Sequence, residues 1–367
     1  MKIIAFYLPQ YHTFRENDEW WGKGFTEWVN VKKSIPLFEG HNQPRVPLGE
    51  NYYDLTNITT AKWQAELAKK YGIYGFCYYH YWFDGKLLME KPMENMLRDK
   101  TIDLPFCICW ANENWTKAWA KKSKEVLLAQ NYENKDDWDR HFQYFLKFFR
   151  DERYIKVDEK PLLIIYRPEL ISCLEELLLY WNRQAQKNGF QGISYVYQQR
   201  FYNHQTDKAG YLFDYGIEYQ PGYAMEPQKK TLNFISHQAF NYIVNKLKWK
   251  QTERSSILYD YDKTWQDILQ ISPKDNKMLP GAFVDWDNTP RYKGQGSLFK
   301  GVTPDKFRKY LSAQIKHAKE VYKKDMIFMF AWNEWGEGGY LEPDERNGYK
   351  MLEAIKHALL ENGEFPK

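Results

Sequence analysis

Short apolar runs alternate with longer amphipathic segments along almost the whole chain. The short runs are continuously apolar, which is typical of parallel β-strands that are buried on both faces. Eight runs are predicted as strands: Lys2–Leu8, Gly75–Tyr81, Pro105–Trp110, Pro161–Tyr166, Ile193–Gln198, Asp214–Tyr219, Met278–Asp285 and Met326–Trp332.

The segments between these runs carry apolar residues at intervals of three or four positions, which predicts amphipathic helices. The first helix is expected to begin at Thr59 or Thr60, which can cap it, and to end at Gly72. Gly189 is expected to end a later helix. The apolar stripes, each interpreted as a face that packs on a sheet, are Trp63, Leu67 and Tyr71; Trp138, Phe142, Phe145 and Phe149; Leu174, Leu177, Leu178 and Trp181; Phe307, Leu311 and Ile315; and Leu352, Ile355 and Leu359.

Strands that alternate with helices predict an α/β protein, and eight such units are the number that closes a (β/α)8 TIM barrel. A doubly wound open sheet is the alternative, but neither of its usual phosphate-binding turns, GxGxxG or GxxxxGK[ST], occurs. Two connections are longer than a helix: Phe14–Asn57 after strand 1, and Pro221–Lys277 after strand 6, which is charged and helical in its middle. We interpret both as loop insertions into a single domain, residues 1–367.

Charge and composition narrow the classes of function. Lys and Arg number 52 and Asp and Glu 48, a net charge of +4 without long like-charged runs, so we expect no nucleic-acid partner. No apolar stretch approaches the roughly 18 residues of a membrane span. Because Lys2–Leu8 runs straight into Pro9 and Gln10, it predicts a strand rather than a secretory leader. With four cysteines interpreted as reduced thiols, the expected location is cytoplasmic.

Polar and aromatic residues follow nearly every predicted strand. In a barrel the carboxyl ends of all strands meet at one mouth, which carries the active site. Aromatic faces with Asn, Asp and Glu fit a carbohydrate, whose C–H faces stack on rings and whose hydroxyls need polar partners. The substrate-binding candidates for an oligosaccharide or polysaccharide are Tyr7, Gln10, His12, Trp28, Tyr79, His80, Trp82, Trp110, Asn112, Trp115, Tyr166, Arg167, Glu218, Tyr219, Asp285, Trp286, Asn333 and Trp335.

Glycosidic chemistry needs two carboxyl groups, one protonated and one ionised. Glu334 and Glu337 are the sharpest pair, because they are three positions apart and residues i and i+3 of a helical turn share one face. Two acids this close push their pKa values apart, which supplies an acid and a base at neutral pH. Glu113, which lies between two Asn and two Trp, is a third catalytic candidate or a ligand for a substrate hydroxyl.

Signals for metals and cofactors are weak. His12 and His80 lack an accompanying HExxH motif or carboxylate triad, so a contact with a sugar hydroxyl is the favoured interpretation of both. Asp260-Tyr261-Asp262 and Asp285-Trp286-Asp287 match the D-x-D pattern that some sugar-nucleotide transferases use for a divalent metal. Such tripeptides arise by chance in a chain with 48 acids, and we expect neither a metal nor a cofactor.

Several motifs resemble those of the WbsX-type proteins, which are also described as glycoside hydrolase family 99-like. The matching segments are spread over nearly the whole chain: Ala5–His12, Asn17–Trp28, Gly75–Phe83, Cys109–Trp115, Trp332–Gly338 and Leu341–Pro343. The resemblance implies a (β/α)8 barrel and action on glycosidic bonds in cell-surface polysaccharides. Many members of this family are named as glycosyltransferases from their place among polysaccharide-assembly genes.

The related family 99 endo-α-mannosidases carry an Asn-Glu-Trp-x-Glu-Gly run at the last strand, which Asn333–Gly338 resembles. In that family the first Glu deprotonates the substrate 2-hydroxyl, which attacks the anomeric carbon to give a 1,2-anhydro sugar. The second Glu is general acid and then base. The resemblance assigns these roles to Glu334 and Glu337. Gly336 departs from the mannosidase pattern, in which we expect a polar side chain, and the departure bears on the substrate rather than on the carboxylates.

Three hypotheses therefore stand. The favoured one is a retaining glycosidase or transglycosidase that uses Glu334 and Glu337. The second is a glycosyltransferase of O-antigen or capsular polysaccharide synthesis, which a cytoplasmic location favours and the lack of a phosphate-binding loop disfavours. The third is a non-catalytic carbohydrate-binding barrel, in which the paired acids would be dispensable.

Overall fold

A parallel β-sheet forms the centre of the structure, a computed structural model that describes residues 1–116, 125–199, 209–228, 256–292 and 296–366. Its strands are β1 (Lys2–Tyr7), β2 (Gly75–Phe83), β3 (Phe106–Trp110), β4 (Lys160–Ile165), β5 (Ser194–Gln199), β6 (Phe213–Glu218), β7 (Met278–Leu279), β8 (Gly281–Phe283) and β9 (Met326–Phe330). Neighbours follow the order β7-β6-β5-β4-β3-β2-β1-β9-β8. Because β7 and β8 are halves of one stretch interrupted at Pro280, the path returns to its start. The predicted (β/α)8 barrel is confirmed.

Helices pack around the outside of this sheet. Within the described ranges they are α1 (Arg15–Trp21), α2 (Glu27–Lys33), α3 (Ile58–Lys70), α4 (Lys91–Arg98), α5 (Lys135–Phe149), α6 (Leu174–Lys187), α7 (Gly222–Gln228), α8 (Tyr261–Leu269), α9 (Pro304–His317) and α10 (Lys350–Glu361). The five predicted apolar stripes fall on α3, α5, α6, α9 and α10. Phe142, Phe145 and Phe149 of α5 are fully buried, which confirms that this stripe is a packing face.

The start of α3 differs from the sequence prediction. Asn57 is the N-cap, and its side-chain oxygen accepts a hydrogen bond from the Thr59 backbone N–H at 3.0 Å. The prediction of Thr59 or Thr60 as the cap is wrong, because Asn is an equally good capping residue and precedes both. Gly72 follows the helix with a φ of +87°, a left-handed conformation that glycine adopts without strain.

Asn57→Ala is expected to lower the free energy of unfolding by about 1 kcal/mol, because the first turn of α3 loses its capping acceptor. Urea unfolding of both proteins would measure this difference. Gln186→Ala, on the exposed face of α6, is the control and should change stability by less than about 0.5 kcal/mol. Equal effects of the two substitutions would contradict a capping role.

The first insertion lies against the mouth of the barrel. It contributes α1 and α2, and the Trp28 ring of α2 lies 5.5 Å from that of Trp335, in the loop after β9. From the second insertion the structure describes α7, the strand Ile257–Asp260 and α8, whereas residues 229–255, in the middle that was predicted to be charged and helical, lie outside the described residues. Short strands lie outside the barrel path, at Lys86–Leu88, Trp115–Thr116, Val126–Leu128, Lys156–Val157, Ile257–Asp260, Ser297–Lys300, Asn333–Glu334 and Gly339–Tyr340.

Aromatic rings fill the barrel interior below the mouth. The ring of Phe6 on β1 lies 5.5 Å from Tyr79, 5.2 Å from Tyr219 and 5.8 Å from Phe328. The interior is therefore a packed core, and open space begins only above this layer. Across the described ranges, none of the helices is both long and apolar enough to traverse a bilayer.

Candidate active site

A cavity of about 570 Å³ opens at the carboxyl ends of the barrel strands. Its walls combine aromatic rings with carboxylates and amides. The structure brings together nine of the predicted residues here: Gln10, Tyr79, Glu113, Trp115, Tyr166, Tyr219, Trp286, Glu334 and Glu337. All three catalytic candidates therefore line the same cavity.

Five predicted side chains on barrel strands point away from this cavity, toward the helices: Tyr7, His80, Trp82, Trp110 and Glu218. Tyr7 donates to Gln64 of α3 at 2.7 Å, and Trp82 donates to Asp137 of α5 at 2.8 Å. His80 lies 2.9 Å from His141 of α5, whose ring also packs against Trp110. Glu218 accepts a hydrogen bond from Tyr322 at 2.5 Å.

The reason for this division is the two-residue period of a β-strand. On β2, Tyr79 and Tyr81 line the cavity, whereas His80 and Trp82 between them contact α5. The sequence prediction treated each strand end as a block and did not separate its two faces. Burial lowers the pKa of His80 to about 3, so this imidazole is neutral and belongs to the packing between sheet and helix.

Two predicted asparagines hold strand ends in place. Asn112 donates to the Arg167 carbonyl and accepts from the Arg167 N–H, both at 2.7 Å. Asn333 does the same for Leu8, accepting from its N–H at 2.8 Å and donating to its carbonyl at 3.0 Å. Both amides are fully buried, so they join the chain after one strand to the chain after another.

The remaining predicted residues lie around the cavity rather than in it. Trp28 donates to the Tyr53 carbonyl, and Trp335 stacks on Tyr340 at 3.6 Å and donates to Glu342 at 2.7 Å. Arg167 contacts Glu113 and Glu169 at the rim. His12 is buried near Phe14. Asp285 pairs with Arg45 at 2.8 Å beside a second cavity of about 460 Å³.

The loop after β9 positions the paired acids. Asn333–Glu334 pairs with Gly339–Tyr340 in an antiparallel turn, and Trp335–Glu337 forms a single 3₁₀ turn between them. The Tyr11 hydroxyl accepts from the backbone N–H of Trp335 at 2.9 Å and of Gly336 at 3.3 Å. Both glutamates are thus placed by backbone that is fixed at its two ends.

One buried arginine contacts both acids and a third carboxylate. Arg291 Nη2 lies 2.9 Å from Glu334 Oε1, and its Nη1 lies 2.7 Å from Glu337 Oε1. Its Nε lies 3.2 Å from Glu27 Oε2. Because Nη1 and Nη2 are bonded to the same carbon, the carboxyl groups of Glu334 and Glu337 are close neighbours.

The two acids differ in their surroundings. The side chain of Glu334 is 4% exposed and that of Glu337 is 20% exposed. Burial raises the pKa of Glu334 well above its ordinary value; Arg291 opposes this change, and the charges of Glu337 and Glu27 add to it. Glu334 therefore holds a proton more strongly than an ordinary glutamate does.

Packing explains the glycine at position 336. A Cβ added to Gly336 would lie 2.5 Å from Glu27 Oε2 and 2.9 Å from Arg291 Nε, both too close for a side chain. The Glu27–Arg291 ion pair thus fills the space where the mannosidase pattern led us to expect a polar side chain. This residue departs from the pattern because its neighbours occupy the position.

Sequence reasoning did not assign a role to Glu27, Arg291 or Tyr11. Glu27 belongs to the Asn17–Trp28 motif but lies far from any strand end, and Arg291 follows β8 by eight positions. The one available signal was that Glu27 stands at the first position of a helix inside a family-like motif. No spacing rule connects these residues with Glu334, because the barrel topology brings them together.

Comparison with known proteins agrees with the motifs. The family model described as "Glycosyltransferase WbsX" matches residues 3–355. The "Uncharacterized protein WxcX" of Xanthomonas campestris pv. campestris, from strain B100 and again from strain ATCC 33913, is 37% identical over 359 residues. This match covers 97% of the chain and 49% of the relative, so the chain spans about half the length of these curated relatives.

Solved structures show the same fold. The GH99 endo-alpha-mannosidase from Bacteroides thetaiotaomicron superimposes with a TM-score of 0.56 at 13% identity, covering 99% of this chain and 97% of that one. A "Glycoside hydrolase-like protein" gives 0.55 at 12% identity, with 97% and 93% covered. These identities establish a shared barrel fold. The family itself is shown by the sequence match over almost the full chain, and the protein belongs to the WbsX glycosyltransferase family.

Proposed function

We propose that this protein acts on glycosidic bonds of a cell-surface oligosaccharide or polysaccharide as a retaining glycosidase or transglycosidase. The observation that carries the proposal is the contact of Glu334 and Glu337 with neighbouring nitrogens of Arg291 at an aromatic-lined cavity. Two adjacent carboxyl groups of different burial are the apparatus that glycosidic chemistry needs. The endo-α-mannosidase fold of the structural neighbours supports the same class of reaction.

In the first half of the reaction, Glu334 removes the proton from the substrate 2-hydroxyl. The freed oxygen attacks the anomeric carbon while Glu337 gives its proton to the departing glycosidic oxygen, so a 1,2-anhydro sugar and a free alcohol result. Arg291, 2.9 Å from Glu334, favours the ionised form of Glu334 that the first role requires, against the effect of burial. Glu337 is the more exposed of the two, at 20%, and takes the role of proton donor to the leaving group.

In the second half, Glu337 removes a proton from water or from an acceptor hydroxyl, which then attacks the anomeric carbon and opens the anhydro ring. The 2-oxygen recovers its proton from Glu334, and both carboxyl groups return to their starting states. Water as the nucleophile gives hydrolysis, and a sugar hydroxyl gives transfer. The same two residues therefore serve a hydrolase and a transglycosidase.

The walls of the cavity suit a sugar chain. Tyr79, Trp115, Tyr166, Tyr219 and Trp286 line the same cavity as the acids. Flat rings pack against the C–H faces of a pyranose, and the carboxylate of Glu113 and the amides of Gln10 and Asn288 offer partners for hydroxyls. This combination supports an extended saccharide rather than a small apolar ligand.

A second candidate is glycosyl transfer from an activated sugar during polysaccharide synthesis, which the description of the matching family favours. It would use the same cavity. The decisive experiment is a panel of aryl α-glycosides and nucleotide sugars, each assayed with the unaltered protein and with Glu334→Gln. Release of aryl alcohol that Glu334→Gln abolishes supports the glycosidase. Consumption of a nucleotide sugar, with no aryl glycoside cleaved, would transfer support to the second candidate.

A further inference from the structure

Glu27 is a third carboxyl group at the paired acids, contributed by the first insertion. It is the first residue of α2, and its side chain is 2% exposed. Its Oε2 accepts from Arg291 Nε at 3.2 Å, while Glu334 and Glu337 use the other two nitrogens of the same guanidinium. The proposed mechanism uses the last two carboxyl groups and leaves Glu27 without a role.

The charges in this cluster do not balance. One guanidinium faces three carboxyl groups, so full ionisation would leave a net charge of −2 among largely buried side chains. Buried charge of one sign is costly, and the cluster lowers that cost by keeping a proton. Consistent with this, burial raises the pKa of Glu27 as well as that of Glu334.

We propose that Glu27 is a positioning residue that competes for Arg291 and thereby fixes how protons are shared between Glu334 and Glu337. Each guanidinium nitrogen contacts a different carboxyl group, so the negative charge on Glu27 weakens the stabilisation that Arg291 gives to the other two. Glu334 stays more basic than it would be beside an undivided arginine. The assignment of chemical roles rests on the proposed function, whereas the charge coupling does not.

Two further titratable side chains of the described ranges face the cluster. They are Tyr11, from the loop after β1, and Tyr81, from β2. Both are phenols with raised pKa values, chiefly because they are buried, so both stay neutral. Because Gly336 has no side chain, Glu27 and Arg291 have room to lie in contact beside it.

The test measures how Glu334 titrates in three backgrounds: the unaltered protein, Glu27→Asp and Glu27→Gln. Each is compared with its own Glu334→Gln counterpart by urea unfolding at pH values from about 4 to about 8. Because Glu334 has a raised pKa when folded, it costs stability as pH rises above the pKa of the unfolded chain. The gain from Glu334→Gln therefore grows with pH and levels off at the folded-state pKa of Glu334.

We expect the levelling point to lie at the highest pH in the unaltered protein, lower in Glu27→Asp, and lowest in Glu27→Gln. The order follows because Asp keeps the charge at a longer distance from Arg291, whereas Gln removes it. If Glu27→Gln does not fold, the shift of the levelling point in Glu27→Asp tests the proposal on its own. Glu19→Gln, at an exposed pair with Arg15, is the control and should leave the levelling point unmoved.

A levelling point that stays the same in all backgrounds, with stability lowered equally at every pH, would overturn the proposal and leave Glu27 a structural anchor of α2. These measurements use no substrate. A protein that shows the predicted shift but cleaves no glycoside therefore contradicts the proposed function alone. If a substrate of the panel is cleaved, the pH below which kcat/KM falls should be lower in Glu27→Gln than in the unaltered protein.

Discussion

Glu337→Gln is expected to reduce cleavage of a natural sugar–sugar linkage by roughly 10²–10⁴-fold, the contribution of general acid assistance. The same variant should cleave an aryl glycoside with a good phenolate leaving group at close to the unaltered rate of bond breaking. The difference arises because a sugar alkoxide needs a proton as it departs, whereas a phenolate leaves without one. Steady-state rates on the two substrates measure it.

Glu334→Gln should impair both substrates alike. The amide cannot accept the proton of the 2-hydroxyl, so bond breaking lacks its internal nucleophile whatever the leaving group is. Glu113→Gln is the comparison: Glu113 lines the same cavity as a partner for substrate hydroxyls and pairs with Arg167 at its rim, so its loss should be smaller than that of either variant. Equal losses for Glu334→Gln and Glu337→Gln on both substrates, or the largest loss for Glu113→Gln, would contradict the assigned roles.

Arg291→Gln is expected to lower the free energy of unfolding at pH 7 by about 3–5 kcal/mol, the usual cost of leaving buried charge without its partner. Three carboxyl groups would then face one another with no cation. As pH falls, Glu27 and Glu334 gain protons before an ordinary glutamate would, because burial raises the pKa of each. Protonation removes the repulsion, so the deficit should be smaller near pH 5 than at pH 7.

Urea unfolding at the two pH values measures this deficit. Arg308→Gln is the control, since the pair of Arg308 with Glu361 at 2.7 Å is largely exposed. It should change stability by less than about 1 kcal/mol at either pH. An Arg291→Gln deficit as small as that of the control, or one that grows on acidification, would show that the arginine does not balance the buried acids.

The barrel could be predicted from the sequence because its determinants are local. Continuous apolar runs and stripes of period 3.6 give strands and helices wherever the two periods differ clearly. Met278–Asp285 was harder to predict in detail, because the apolar pattern runs through Pro280, where the strand divides into β7 and β8. Proline lacks the backbone N–H that a continuous strand would donate to its neighbour. The apolar side-chain pattern therefore continues through Pro280, although the backbone hydrogen bonding is interrupted there.

The site could be predicted in part. Strand ends predict a common position for Tyr79, Glu113, Glu334 and Glu337, because parallel strands carry their ends to one edge, and these four side chains line one cavity. The two-residue period of a strand decides on which face each side chain lies. It places Tyr79 at the cavity and His80 against α5.

Glu27 and Arg291 could not have been placed by such rules. They come from an insertion and from a loop, and they meet Glu334 across 307 and 43 positions of the chain, respectively. Their pairing depends on the way α2 docks at the mouth and on the space left by Gly336. Neither of these is a property of local sequence.

Participation of the 2-hydroxyl distinguishes the proposed mechanism from one with a carboxylate nucleophile, and a 2-deoxy substrate separates the two. Once the panel identifies an aryl α-glycoside that the unaltered protein cleaves, its 2-deoxy counterpart is assayed under the same conditions for release of the aryl alcohol. We expect no enzymatic release, because Glu334 then has no hydroxyl to deprotonate and the anomeric carbon has no internal nucleophile. Turnover of the 2-deoxy substrate would contradict participation of the 2-hydroxyl, and a carboxylate nucleophile such as Glu113 would have to take its place.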